Sequence, residues 1–360
     1  MRETTKIVKK KKEHISSKFR NKKQTVDQID DWRQVSKIAE SISETNKDEA
    51  VKFYQNAIRK FPTKTKLVNQ YAQFLYNNHY TKKAFKIIKK LTSIDPSNSD
   101  SLYLQGLIYA RLGNFKKSKI FLQNAVNLDP RNPDIHNYLG LTLTDLNELD
   151  DAIEQFDAAL KFKKNNELFD NKARAFYRLG KFEDALKNIN KALRYEPNSF
   201  YSIIRKGFIL QEMDRSEESK KCFRKLLELE SPYVSFLAVQ SRALLELGML
   251  KKCIKKADEF LRYSNYKEAV FTDKARAFFL LKKDKEAEEF FKKAIKSNTY
   301  PWANYYYATY KSAKKDYSGA IKQLKIGLKT MPWLLNSALR EPLFKNLKND
   351  SKFNKMFISS

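Results

Sequence analysis

The chain has 360 residues, of which 42% are hydrophobic, and it carries a formal net charge of +29 at pH 7. It contains only 8 glycines and 9 prolines, which favours long regular elements with few loops. No apolar run approaches the roughly 18 residues that a membrane-spanning helix needs. The lysine-rich start has no apolar stretch behind it, unlike a secretory signal peptide. We therefore expect a protein without a transmembrane segment.

The two cysteines bear on the compartment in which the protein works. Cys222 and Cys253 are too few for a disulfide framework, and both fall on the apolar faces of expected helices. We expect them to be reduced. This predicts a cytoplasmic protein, or a nuclear one if the host is eukaryotic.

The first residues differ in composition from the rest of the chain. Residues 1–30 are rich in lysine and lack a sustained apolar face, so we expect a basic, disordered tail. Its role stays open between keeping the protein in solution, nuclear import, attraction to an anionic membrane surface and weak contact with nucleic acid. Any nucleic-acid contact would involve phosphates and would be sensitive to salt.

From residue 31 onward the sequence repeats with a period of 34 residues, as the alignment of Gly106 with Gly140 shows. The units are 31–64, 65–98, 99–132, 133–165, 166–199, 200–233, 234–267, 268–300 and 301–334. Every unit has a small residue at its twentieth position, namely Ala50, Ala84, Ser118, Ala152, Ala185, Ser219, Cys253, Ala287 and Ala320. A position restricted to small side chains indicates that two helices approach closely there.

Each unit predicts two helices of about a dozen residues joined near the fifteenth position. Gly113, Gly180 and Gly248 fall at that position, as expected for a helix end. Proline breaks helix interiors, and all but Pro342 occur near the unit junctions. These are Pro62, Pro96, Pro130, Pro133, Pro197, Pro232, Pro301 and Pro332.

Unit 99–132 carries a series of residues at set positions: Leu102, Gly106, Tyr109, Gly113, Ala125 and Pro130. This pattern resembles the tetratricopeptide repeat family, whose 34-residue repeat is a helix–turn–helix. The resemblance implies an all-α, right-handed superhelical solenoid of about nine repeats over 31–334. Residues 335–360 would cap it, with a helix over 338–357 that presents Leu343, Phe344, Leu347 and Phe353 to the last repeat. The alternative is that this segment is detachable and binds a partner.

Little in the sequence indicates chemistry. The three histidines have no second metal ligand at a suitable spacing, and no phosphate-binding loop or activated nucleophile is visible. Acidic pairs such as Asp150–Asp151 open second helices, where they complement the helix dipole. We therefore predict no catalytic, cofactor-binding or metal site, and no enzymatic activity.

The resemblance implies that first helices line a concave groove with positions 2, 5, 6, 9, 12 and 13. In the first half of the array these positions are mainly amide and tyrosine side chains. In the second half they are rich in arginine and aromatic residues. The predicted binding residues are Arg174, Tyr177, Arg178, Tyr201, Arg205, Phe208, Arg242, Arg276, Phe279, Trp302 and Tyr305. The alternative is that the arginines form ion pairs within their own helices, as Asp170–Arg174 and Asp273–Arg276.

These observations favour a non-enzymatic scaffold that binds an acidic protein segment with apolar anchors in its groove. Two alternatives remain. One is a protein associated with nucleic acid through its basic tail and its basic C-terminal repeats, where residues 234–334 carry 21 basic and 10 acidic side chains. The other is an accessory module that recruits or restrains an enzyme.

Overall fold

The computed structural model describes residues 25–265, 267–297, 300–331, 334–351 and 353–354. Within these ranges the chain is all helical and contains no strand. The α-helices are α1 (Val35–Ser43), α2 (Lys47–Lys60), α3 (Thr65–Asn77), α4 (Thr81–Ile94), α5 (Ser99–Arg111), α6 (Phe115–Leu128), α7 (Pro133–Asp145), α8 (Leu149–Phe162), α9 (Asn166–Arg178), α10 (Phe182–Tyr195), α11 (Phe200–Glu212), α12 (Ser216–Glu228), α13 (Val234–Glu246), α14 (Leu250–Leu261), α15 (Glu268–Leu280), α16 (Asp284–Ile295), α17 (Pro301–Ala313), α18 (Tyr317–Thr330) and α19 (Leu334–Arg340). Short 3₁₀ helices cover Val26–Gln28, Trp32–Gln34 and Pro342–Asn349.

The chain divides into two compact units, residues 1–142 and 143–360. In the first unit, α1–α2, α3–α4 and α5–α6 pack as hairpins, and α1, α3 and α5 contact one another in turn. In the second unit the hairpins run from α9–α10 to α17–α18, and their first helices α9, α11, α13, α15 and α17 also contact one another in turn. Odd-numbered helices up to α17 are therefore the first helices of the predicted units, and even-numbered helices up to α18 are the second.

The small residues predicted to mark helix contacts are buried in both units. Eight of the residues at the twentieth position are 0% exposed and Ser219 is 1% exposed. At the eighth position, a Cβ added to Gly106 would lie 2.6 Å from Cγ of Leu122, and one added to Gly207 would lie 2.5 Å from Cε1 of Phe223. Carbon atoms do not approach so closely, so the side chains of Leu122 and Phe223 on the second helices pack directly on these glycines.

In the turn between the two helices of a hairpin, the residue at the fifteenth position has a left-handed backbone conformation, with a positive φ. Gly113, Gly180 and Gly248 have φ values of 75°, 76° and 73°. The same position is left-handed in five other repeats, where a residue with a side chain occupies it: His79, Asn147, Asp214, Lys282 and Lys315. His79 is thus a turn residue, and its backbone conformation, not its imidazole, explains its position.

The N-terminal boundary of the packed structure lies slightly earlier than the sequence suggested. Residues 1–24 of the predicted tail are outside the described ranges. Residues 25–30 pack against α2, because Val26 and Ile29 are buried in the core of the first unit. The ammonium group of Lys60 donates hydrogen bonds to the carbonyl oxygens of Val26, Asp27 and Ile29 at 3.3, 2.9 and 2.7 Å.

In the described residues the C-terminal segment packs on the last hairpin, and it does not form one continuous helix from residue 338 onward. In the described residues it contains α19, then the 3₁₀ helix Pro342–Asn349, and further helical residues at 351 and 353–354. Phe344, Leu347 and Phe353 are fully buried against α17 and α18. Leu343 remains 41% exposed, so its prediction as a core residue was wrong. Pro342 is the physical reason for the break, since proline cannot continue a helix interior.

We expect Ala185→Leu to lower the free energy of unfolding by about 1–3 kcal/mol, because the added atoms would overpack a fully buried helix contact. Urea unfolding monitored by circular dichroism measures this. The control is Lys187→Leu, on the exposed face of the same helix, where a change within about 0.5 kcal/mol is expected. An unchanged midpoint for Ala185→Leu would contradict the close-approach argument.

We expect Lys282→Gly to raise the free energy of unfolding by about 0.5–1 kcal/mol. A left-handed backbone costs a residue with a Cβ about 1–2 kcal/mol, and part of this gain is lost to the greater entropy of glycine in the unfolded chain. The reverse change at the same turn position, Gly180→Lys, should lower the melting temperature. If both variants shifted stability in the same direction, the turn conformation would not be the cause.

Candidate partner-binding pocket

The first helices of the second unit surround a pocket of about 470 Å³. Helices α9, α11, α13, α15 and α17 supply most of its wall. Ten of the eleven predicted binding residues line it: Arg174, Tyr177, Arg178, Tyr201, Arg205, Phe208, Arg242, Arg276, Trp302 and Tyr305. Phe279 does not line it, because its ring packs edge-on against Tyr310 with 5.3 Å between ring centroids.

The repeat register explains why these side chains meet. Arg174, Phe208, Arg242 and Arg276 all stand at the ninth position of successive units. Because the first helices contact one another in turn, the same position on each helix contributes to one continuous wall. The lining residues are therefore separated by about one repeat in sequence and are neighbours in space.

Most of the pocket arginines pair with acidic groups of an adjacent repeat. Arg205 Nη2 lies 3.0 Å from Asp170 Oδ2, and Arg276 Nη1 lies 2.9 Å from Glu246 Oε1. Arg242 donates to Asp273, whose side chain is 3% exposed. The predicted pairs within single helices, Asp170–Arg174 and Asp273–Arg276, were therefore wrong. The long guanidinium side chains reach across to the neighbouring helix.

Arg178 also pairs outside its own repeat. It donates to the carbonyl oxygen of Thr144 and lies 3.8 Å from Asp145 Oδ1. Burial, and then the positive charge of Arg174, lower the pKa of Arg178 to about 10. This guanidinium is therefore held against the end of α7 in an environment that already disfavours a further positive charge.

Arg174 differs from the other four pocket arginines. Within the described part of the chain its guanidinium forms no hydrogen bond or ion pair, and its Nε is buried without a partner. Burial, and then the neighbouring Arg205, lower its pKa. Asp170, the acidic group on its own helix, is already bonded by Arg205 and by the hydroxyl of Ser202. A buried donor without an acceptor costs free energy, so this position is suited to an anionic group from outside.

Aromatic side chains form the rest of the wall. Arg276 lies over the Tyr306 ring at 4.1 Å from its centroid, and Trp302 stacks on Tyr306 with 5.6 Å between centroids. The Tyr177 hydroxyl donates to Glu212 Oε1 at 3.3 Å. Burial, and then the charge of Glu212, raise the pKa of Tyr177. Tyr177 therefore stays neutral and acts as a donor.

Several lining residues were not among the predicted site residues. Glu212 and Glu246 line the pocket, and both stand at the thirteenth position, which the repeat pattern already assigns to the groove. Tyr306, Tyr300, Ile204 and Gln211 also contribute. Except for Tyr300, all of these residues stand at groove positions, so the register alone could have identified them.

The C-terminal segment of the chain forms one side of the pocket. Met331, Ser337 and Glu341 line it. The Tyr305 hydroxyl lies 3.3 Å from both the Ser337 carbonyl oxygen and Glu341 Oε2. Arg340 Nη1 lies 2.8 Å from Glu212 Oε2. No repeat position indicates these contacts, since residues 335–341 follow the last unit. They turn part of the expected open groove into a pocket bounded by the chain's own C-terminal segment.

The described residues contain neither a metal-binding cluster nor a helix suited to span a membrane. No group of three histidine, cysteine, aspartate or glutamate side chains there is placed to hold a metal ion. None of the helices there combines the length and the apolar character that crossing a membrane would need.

The fold and the row of side chains on successive first helices define a helical-repeat protein. Residues 37–64, 167–199, 201–233 and 269–299 match tetratricopeptide repeat families. Residues 77–159 match the family described as anaphase-promoting complex, cyclosome, subunit 3. The chain belongs to the tetratricopeptide repeat proteins, as the sequence pattern predicted.

Curated relatives share the repeats at low identity. The TPR repeat-containing protein YpiA of Bacillus subtilis is 25% identical over 240 residues, which cover 65% of this chain and 56% of the relative. The BBSome complex member BBS4 of Bos taurus is 24% identical over 169 residues, which cover 47% of this chain and 32% of the relative. The chain thus spans about half of the first protein and a third of the second.

Two solved structures share the fold. A tetratricopeptide repeat protein from Parabacteroides merdae superposes with a TM-score of 0.57 at 13% identity, covering 69% of this chain and 98% of that one. The APC/C hetero-tetramer Cut9-Hcn1 gives a TM-score of 0.55 at 14% identity, covering 84% of this chain and 57% of that one. At these identities the likeness concerns the fold alone.

We expect Arg242→Met to lower the free energy of unfolding by about 3–5 kcal/mol at neutral pH, because it leaves the carboxylate of Asp273 buried without its partner. Burial already raises the pKa of Asp273 to about 6 despite its contact with Arg242. Without the arginine that pKa rises further above the unfolded value of about 3.9. Urea unfolding measures the loss, and Arg224→Met, at an exposed arginine of α12, is the control.

The same variant gives a dependence on pH with a definite sign. Below its folded-state pKa, Asp273 is neutral and needs no ionic partner. The stability deficit of Arg242→Met should therefore shrink as the pH falls from about 7 to about 5. A deficit that stayed constant over this range would show that packing, not the ion pair, accounts for the loss.

Proposed function

We propose that this protein is a non-enzymatic scaffold that binds an acidic segment of a protein partner in the pocket between α9 and α17. The observation that carries the proposal is the unpaired guanidinium of Arg174 at that pocket. One relative is named as a member of the BBSome complex, and residues 77–159 match a family named for a subunit of the anaphase-promoting complex, which supports an assembly role. The absence of any recognisable catalytic group in the sequence supports a non-enzymatic one.

The charges of the pocket favour the binding of one anionic group. Arg205, Arg242 and Arg276 are each neutralised by a neighbouring carboxylate. Arg174 is not, and its planar fork suits a carboxylate better than a lysine would. A charge-assisted hydrogen bond is worth about 1.5–3 kcal/mol, so a single incoming carboxylate would gain substantially at this position.

The aromatic wall would hold the apolar part of the segment. Tyr201 is 53% exposed, and Phe208 and Trp302 lie partly buried at the pocket. Aromatic residues of this kind are common at binding hot spots. A volume of about 470 Å³ accommodates one acidic side chain with a neighbouring apolar one, not a long helix. The partner would therefore insert a short part of its chain beside the C-terminal segment.

We expect Arg174→Met to weaken binding of an acidic peptide by at least about tenfold, the equivalent of one lost charge-assisted hydrogen bond. The measurement is fluorescence anisotropy with labelled short peptides that carry one glutamate between leucine and phenylalanine. Matched peptides with glutamine in place of glutamate should bind the native chain weakly and should not distinguish it from the variant.

The stability of the variant separates binding from folding. Because Arg174 has no partner to lose, Arg174→Met should leave the urea midpoint unchanged or slightly raised. Arg224→Met should alter neither binding nor stability. If the glutamate peptides bound the native chain no better than the glutamine peptides, the proposed pocket function would be wrong.

A further inference from the structure

The second helices α4 and α6 of the first unit carry an unusual concentration of lysine. α4 contains Lys82, Lys83, Lys86, Lys89 and Lys90, and α6 contains Lys116, Lys117 and Lys119, while neither helix has an aspartate or glutamate. By contrast, α8 in the second unit has four acidic residues and one lysine. The local positive charge is therefore a property of these two helices and not only of the composition of the chain.

An open cleft of about 700 Å³ lies between α4, α5 and α6. Lys86, Lys89 and Lys90 stand along one rim, and all three are exposed. Within the described residues none of their ammonium groups forms a hydrogen bond or an ion pair. Lys82, Lys86 and Lys90 recur every four residues, a step of about 6 Å along the helix axis. This row is comparable in spacing to successive phosphates of an extended single strand.

The floor of the cleft combines an aromatic ring with polar groups. Phe121 lines it and stacks on Tyr109 with 5.3 Å between ring centroids. Gln105, only 3% exposed, accepts a hydrogen bond from the Thr92 hydroxyl at 2.7 Å through Oε1. Its Nε2 has no hydrogen-bond partner among the described residues. This amide group can therefore donate a hydrogen bond to an acceptor that a ligand brings into the cleft.

The corresponding cleft two repeats later shows that this chemistry does not follow from the fold. There Asp157 stands where Lys89 does, Lys172 replaces Gln105 and Asn188 replaces Phe121. Lys172 forms an ion pair with Asp157. Stacked hairpins therefore create such a cleft as a matter of geometry. The second cleft is also lined by basic and aromatic side chains, Lys191, Arg194, Phe169 and Tyr195, but it contains the acid Asp157. None of the residues that line the first cleft is acidic.

We infer that this cleft binds a single-stranded nucleic acid, with the lysines on its phosphates and Phe121 and Gln105 on its bases. Proteins that bind single strands combine a positively charged groove with aromatic side chains on which bases stack. An acidic peptide would give the lysines a partner but would leave the aromatic and amide floor unexplained. A flat anionic membrane surface would not enter a cleft.

The test uses the full chain and a labelled oligouridylate, with binding followed by fluorescence anisotropy at several salt concentrations. The triple variant Lys86→Gln, Lys89→Gln, Lys90→Gln should reduce the slope of log Kd against log salt by about 2, or about 0.7 for each lost phosphate contact. The charge-matched control is Lys251→Gln, Lys252→Gln, Lys255→Gln, at exposed lysines of another second helix. It should leave the slope unchanged.

A single substitution tests the floor separately. Phe121→Leu should weaken binding at least about fivefold, the lower end of the effect of one base stack, without changing the salt slope. Circular dichroism confirms that its helices are intact. Equal effects of the two lysine triples, or none, would overturn the inference, since general charge or the basic N-terminal residues would then explain binding. Binding of phosphatidylserine vesicles or polyglutamate with no binding of the oligonucleotide would overturn it too.

Discussion

The close approach of the two helices within each hairpin is the constraint on which the other features of the protein depend. A residue larger than serine or cysteine at the twentieth position would separate the helices, as the full burial of Ala84, Ala185 and Ala287 indicates. Tight hairpins let the first helices of neighbouring repeats contact one another. Side chains one repeat apart in sequence, such as Arg242 and Arg276, thereby reach a common pocket, although no single helix supplies all of its wall.

That arrangement also decides how charge can be buried. The guanidinium groups of Arg205, Arg242 and Arg276 reach an adjacent first helix, so their partners come from a neighbouring repeat. Arg205 takes Asp170 from the repeat before it, Arg242 takes Asp273 from the repeat after it, and Arg276 takes Glu246 from the repeat before it. Because Asp170 is already used, Arg174 is left without a carboxylate. The unpaired charge follows from the order of acids and bases along the array.

Sequence alone predicts what depends on local spacing. The period, the small residues and the turn position all follow from the 34-residue register, and so do the ten predicted binding residues that line the pocket. The partners of the arginines do not, because an acid four residues away on the same helix and one a repeat away look equally plausible in a linear sequence. The contact of Tyr305 with Glu341 is also invisible there, since the C-terminal segment belongs to no repeat. The register identifies the turn position that Lys282 occupies, but a lysine does not by itself indicate a left-handed backbone there.

The two candidate binding sites use different basic residues for a physical reason. Lysine is strongly hydrated and carries a compact charge, so it suits the exposed rim of the cleft beside α4, where phosphates would be approached through water. Arginine is more weakly hydrated and presents a planar fork, so it suits the partly buried wall of the pocket, where geometry is fixed. Salt screens exposed charges far more than buried ones. Raising the ionic strength should therefore weaken binding in the cleft much more than binding at Arg174. This difference would distinguish binding at the two sites within a single protein.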